Sequence, residues 1–133
     1  MAGRKRVFVS YHYEKDKHYK NLLVAWSNNS HFDFHMRDES ADISVDSNEA
    51  SVIKRVISTK INHGNCFLVI VGKSTHKCQW VRWEIAKARE LKKKIVAVKL
   101  HRTIAAPEEL YGAGAAWAYT FKLEAINNAL AKV

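Results

Sequence analysis

The chain has 133 residues, 47% hydrophobic and 26% charged with one proline; this excludes a disordered or fibrous protein and fits one globular domain over residues 1–133. Its 22 Lys and Arg against 13 Asp and Glu leave a net charge of +9, which favours anionic partners through the field of the whole molecule. No apolar run nears the roughly 20 residues of a membrane span, and the segment after Arg4-Lys5-Arg6 is too short for a signal peptide, so a cytoplasmic protein with no membrane partner is expected.

Val7-Phe8-Val9-Ser10-Tyr11 reads as a short strand ending in polar residues. Asp16 can cap the helix that follows, whose apolar residues Tyr19, Leu22, Leu23 and Trp26 fall at i, i+3, i+4 and i+7. After Asn28-Asn29-Ser30, residues 31–36 alternate polar and apolar, the pattern of a half-exposed strand. The polar stretch Arg37–Asn48 reads as a long loop, and Asp46 or Ser47 can cap a second helix with a face of Val52, Ile53, Val56, Ile57 and Ile61. His63-Gly64 gives that helix its stop.

Cys66-Phe67-Leu68-Val69-Ile70-Val71 is apolar on both faces, as a strand in the middle of a covered parallel sheet must be. Gly72–Thr75 turns the chain into a third helix, expected over residues 78–93, and residues 95–100 form another buried strand. A helical turn at Pro107–Leu110, a brief strand at residues 117–121 and a last helix ending at Leu130 complete the chain. This alternation dictates an α/β fold, with a five-stranded parallel sheet of flavodoxin-like order 2-1-3-4-5 and helices on both faces.

Ligands of such sheets bind beyond the carboxyl ends of the strands, where strands one and three diverge. Ser10–Tyr13, the Arg37–Asn48 loop and Gly72–Trp80 gather there. Trp80 and Glu84 stand one helical turn apart on one face, so an aromatic plate and a carboxyl group project together. The same spacing also suits a core tryptophan and a glutamate that merely favours the amino half of its helix.

Several other chemistries lack their residues. His31, Asp33 and His35 share a face of the second strand, but an exposed edge strand carries such residues for solubility alone, so no metal is expected. A phosphoacceptor domain wants paired acids where this chain has Ser10 and Tyr11, and no Ser-His-Asp or Cys-His motif is assembled locally. Cys66 and Cys78 have neither metal spacing nor a disulfide framework. The basic residues are scattered and no aromatic-basic recognition motif accompanies them, which argues against nucleic acid as a partner.

Val7-Phe8-Val9-Ser10-Tyr11-His12 resembles the first box of TIR domains, and Ser74–Glu84 resembles their Ser-led loop opening into a helix with WxxxE, here Trp80 to Glu84. The likeness covers nearly the whole chain and is nearest to the bacterial stand-alone TIR proteins, especially the small ones of Thoeris antiphage defence, whose start resembles Arg6–Tyr13. The resemblance implies an enzyme that cleaves the nicotinamide–ribose bond of NAD, with NAD as substrate and no separate cofactor. By carry-over Glu84 is catalytic, while Ser10, Tyr11, His12, Ser74 and Trp80 bind substrate. The product would be a cyclic ADP-ribose isomer or an ADP-ribose conjugate that activates a separate effector, with self-association or filament formation and a phage-derived trigger. A non-catalytic scaffold acting through TIR–TIR association is the alternative. The loop after the second strand lacks the proline common in signalling TIR domains, which weighs against scaffold assembly through that loop.

Overall fold

The computed structural model describes residues 5–27, 32–36 and 45–133. Its five strands are β1 (Lys5–Ser10), β2 (Phe32–Met36), β3 (Cys66–Val71), β4 (Lys94–Lys99) and β5 (Ala116–Ala118). All pairings are parallel and the order is β2-β1-β3-β4-β5, the flavodoxin-like arrangement. Four helices join or follow them: α1 (Tyr13–Ser27), α2 (Ala50–His63), α3 (Gln79–Glu90) and α4 (Leu123–Leu130).

Strand alternation divides the core into two layers. Phe8, Phe67, Val69, Ile95 and Ala97 meet Ile57 and Ile61 of α2 and Val81, Ile85 and Ala88 of α3. Val7, Val9, Leu68, Ile70, Val96 and Val98 meet Leu23 of α1 and Ile126, Ala129 and Leu130 of α4. β3 has a covered strand on either side and helices over both faces, so all of its residues are buried.

The helix ends differ from the sequence expectations in informative ways. α1 begins at Tyr13, and Asp16 sits inside it at non-helical φ −117° and ψ 15°, a kink rather than a simple cap. α2 begins after Glu49 without a side-chain cap; neither Asp46 nor Ser47 holds that position, although the Ser47 carbonyl accepts the N–H of Ala50. Gly64 does close α2, but at an ordinary φ of −72°. Its lack of a side chain matters for space, because a Cβ there would lie 3.3 Å from the Cys66 carbonyl oxygen.

α3 stops at Glu90, short of the expected residue 93, because Lys92 takes a left-handed φ of 58°. The Lys93 N–H then reaches the Ala88 carbonyl and the Lys92 N–H that of Arg89, the paired bonds of a Schellman end. Two expected helix faces are wider than the surface that covers them. Leu22 of α1 and Val52 and Val56 of α2 are exposed, while Leu23, Ile57 and Ile61 are buried.

Candidate functional site

Because side chains alternate along β1, Ser10 shares the α2–α3 side of the sheet with Phe8, and Tyr11 falls on the α1–α4 side with Val7 and Val9. Ser10 is the last residue of its strand and lies under α3. On α3 the residues Trp80, Val81, Glu84, Ile85 and Ala88 form the buried stripe, which sets the Glu84 carboxyl among apolar neighbours. The Ser10 hydroxyl donates a 2.7 Å hydrogen bond to Glu84 Oε1.

Both residues of this pair have 0% exposure. The ring and carboxyl group that helical spacing sets on one face of α3 therefore project together into the core, not into an open mouth of the sheet. The stripe that anchors α3 to the sheet needs a residue at this position, and helical spacing turns Glu84 inward with Trp80 and Ile85. Burying a polar group of this kind is unfavourable without a partner, and the Ser10 hydroxyl offsets part of that penalty.

Trp80 is buried too, packed edge-to-face on Trp83 with ring centroids 6.0 Å apart. It belongs to the apolar cluster beneath α3 rather than to an open wall. Tyr11 is buried on the opposite face of the sheet with the Lys20 ammonium 5.8 Å from its ring centre, so it does not join Glu84. His12 immediately precedes α1, its carbonyl accepting the N–H groups of Lys15 and Asp16. Among the described residues, its buried Nδ1 has no hydrogen-bond partner.

Ser74 lines a different space, a cavity of about 460 Å³ shared with Lys15, Asp16, Lys73 and His101 at the carboxyl ends of β3 and β4. The site residues named from sequence thus divide: Ser10, Trp80 and Glu84 are together in the core, and Ser74 stands at an open cavity nearby. Of the Arg37–Asn48 loop, only the part from Val45 onward lies within the described residues.

The wall of that cavity holds a contact that motif reading missed. Asp16 is buried, and one of its carboxylate oxygens lies 3.3 Å from the Thr75 hydroxyl, which accepts the Gly72 N–H at 2.8 Å. A Cβ on Gly72 would lie 2.5 Å from either Asp16 carboxylate oxygen, so any side chain there would displace the Asp16 carboxyl group. Burial raises the Asp16 pKa from its ordinary 3.8, opposed by the Thr75 hydrogen bond and the nearby His12. The only sequence signal was the glycine, since Asp16 and Thr75 are far apart in the chain.

Other candidates resolve simply. Cys66 is buried and its thiol is pushed up to about 11 by desolvation against a smaller opposing influence of Lys5, which suits an unreactive core thiol. His35 Nε2 lies 3.3 Å from Asp33 Oδ2 on β2, while His31 falls outside the described residues. Among the described residues no three His, Cys, Asp or Glu side chains converge as a metal site, and no helix is long and apolar enough to cross a membrane.

Comparison with known proteins adds a family and a fold. The family profile described as "Thoeris protein ThsB, TIR-like domain" matches residues 8–104. No curated protein matches the chain in sequence. In structure it is similar to the CMP N-glycosidase BcmB of Clostridium botulinum, with TM-score 0.64 and 14% identity over 96% of this chain and 99% of that one. It is similar also to a 2-deoxyribosyltransferase of Bacillus psychrosaccharolyticus, with TM-score 0.58 and 13% identity over 76% and 77%. The TIR domains of the activated Roq1 resistosome match with TM-score 0.53 and 18% identity, covering 71% of this chain and 57% of theirs. At such identities these likenesses speak for the fold alone.

Proposed function

The chain belongs to the Thoeris ThsB TIR-like family, and from that premise we propose that it cleaves the nicotinamide–ribose bond of NAD in the cytoplasm. The observation that supports this most is the 2.7 Å bond between Ser10 and Glu84, which ties the first box to the WxxxE helix at the carboxyl end of β1. Two fold neighbours are named for work on nucleosides and nucleotides, a 2-deoxyribosyltransferase and a CMP N-glycosidase. That is consistent with the proposed chemistry by analogy of fold.

In the proposed reaction the C1′–N bond breaks and nicotinamide leaves with the bonding electrons. The Glu84 carboxylate faces the ribosyl cation so formed, an electrostatic stabilisation of the kind used at glycosidic centres. Ser10 fixes one carboxyl oxygen, and Trp80 holds the helix that carries Glu84. An acceptor then closes on C1′, giving an ADP-ribose-derived signal that reaches a separate effector. Since Glu84 has no exposed surface, α3 or its surroundings must shift before NAD can reach it. Self-association or a phage-derived trigger would supply that shift. The same burial favours a second reading, a TIR scaffold in which Glu84 and Ser10 only lock α3 to the sheet.

The test is chromatography with mass spectrometry of NAD incubated with wild-type and Glu84→Gln protein, with extracts of phage-challenged cells in parallel. The proposal expects nicotinamide release that falls at least about a hundredfold in the variant, with a thermal midpoint close to wild type. NAD intact in both settings supports the scaffold.

A further inference from the structure

The connection from β4 to β5 runs through residues 100–115, and its regular structure is a single 3-10 turn at Glu108–Leu110. This turn packs beside α3, and Arg82 of α3 holds Glu109 with bonds of 3.0 and 3.1 Å. On that side of the sheet α2 and α3 cover the inner strands, and the short turn takes the place a helix would fill over β5. Trp117, half-buried against the core of that side, and the exposed Tyr119 stand beside it.

What stands there is a row of rings. Trp117 and Tyr119 are stacked with centroids 6.1 Å apart and planes 6° from parallel, and Tyr111 adds a third ring 6.5 Å from Trp117. Tyr111 is 60% and Tyr119 44% exposed. Across the register Ala97 lies beside Trp117, so a small residue leaves the indole room. Two cations attend the row: the Lys99 ammonium 5.5 Å from the Trp117 ring centre and the Arg102 guanidinium 5.5 Å from that of Tyr119.

Beyond Tyr111 the row meets a cavity of about 310 Å³ lined by Arg89, Lys92, Lys93, Lys94 and the backbone of Gly112–Gly114. Arg89 ties the two together by donating to the carbonyls of Tyr111 and Gly112. Lys93 is spent on the carbonyls of Asn62 and Gly64, which leaves the exposed Lys92 and Lys94 as the cavity's outward charges. Of the acidic groups in these segments, Glu109 is held by Arg82, Glu90 is held by Lys87, and Glu108 is exposed.

We propose that this strip binds single-stranded nucleic acid, with bases stacking on Tyr111, Trp117 and Tyr119 and phosphates meeting Arg102, Lys99, Lys92 and Lys94. Two exposed tyrosine rings on either side of a half-buried indole, interleaved with cations, offer what unpaired bases on an anionic backbone need, and paired bases hide the faces that would stack. A base settling on a ring takes the cation's place over it and frees that cation for a phosphate. The net charge of +9 adds a long-range attraction for a polyanion. The strip uses none of the residues of the Ser10–Glu84 pair, so its test is independent of NAD cleavage.

The test is fluorescence anisotropy of a short labelled oligothymidylate titrated with the full chain across a salt series, beside a duplex of equal length. Expected are binding that weakens as salt rises, preference for the single strand, and about tenfold loss on Tyr119→Ala. Arg102→Ala should lower the slope against salt by about one ion. Both side chains are exposed, and unchanged circular dichroism would certify that the variants fold. Equal affinity for single strand and duplex, or a Tyr119→Ala affinity like wild type, overturns the proposal in favour of a plain basic surface. Failure to bind the oligonucleotide, with a dimer that Tyr119→Ala dissolves, overturns it in favour of a second copy of the chain.

Discussion

Asp16 shows at the scale of one residue how burial and hydrogen bonding oppose each other. Desolvation raises its pKa above 3.8, while Thr75 and His12 pull it back. Below pH 3.8 folded and unfolded chains are both protonated at this site; as pH rises through the folded-state value, the unfolded chain ionises more readily and the folded state loses stability. Asp16→Asn keeps an oxygen acceptor for the Thr75 hydroxyl without the charge. The variant should therefore have the higher thermal midpoint at neutral pH, with the difference closing on acidification towards pH 3.8. Paired melting curves across pH would check this, and a difference independent of pH would refute it. Reading Asp16 as a cap located a polar residue at the start of α1 but missed its partner, because Thr75 is 59 residues away. For Tyr11 the needed rule was already present in the sequence: alternation along β1 places it on the face of the sheet opposite Ser10.

Among the elements, α3 joins the legible to the illegible. Its apolar spacing and the inward alignment of Trp80 with Glu84 could be read from i, i+4 geometry. Its end could not, since no glycine marks it and Lys92 adopts φ 58° instead. A left-handed conformation strains a side-chain-bearing residue by about 1 kcal/mol. Lys92→Gly should thus raise stability by roughly 0.5–1 kcal/mol, measured by chemical denaturation; a loss would mean that the lysine side chain contributes more than its backbone strain removes. The connection before β5 gives the opposite lesson. Its proline-led turn was foreseen, but the row formed by Tyr111, Trp117 and Tyr119 with Lys99 and Arg102 arises only when β4 and β5 pair, so a search for a local aromatic-basic motif overlooked it.

For the molecule as a whole, strand order followed from the alternation of elements and from the apolar character of β3, which few arrangements can satisfy. The occlusion of Glu84 did not follow, because depth beneath the surface depends on how two layers close over one another rather than on spacing within a helix. The same closure predicts a gradient of backbone protection. In native-state hydrogen exchange the amides of β3 and the middle of β4 should be the slowest, exchanging only on global unfolding, while β5 and the first turn of α1 exchange sooner. Uniform protection across all five strands would contradict it.

The sheet also tapers. β2 presents a margin of five residues, Phe32–Met36, and β5 one of only three, Ala116–Ala118. Only alternate residues of an edge strand turn their N–H and C=O outward, so at β5 a neighbouring chain would find almost nothing to bond. A sheet continued from one copy to the next could therefore join only β2 to β2, closing as a pair of copies with β5 as the terminus at either end.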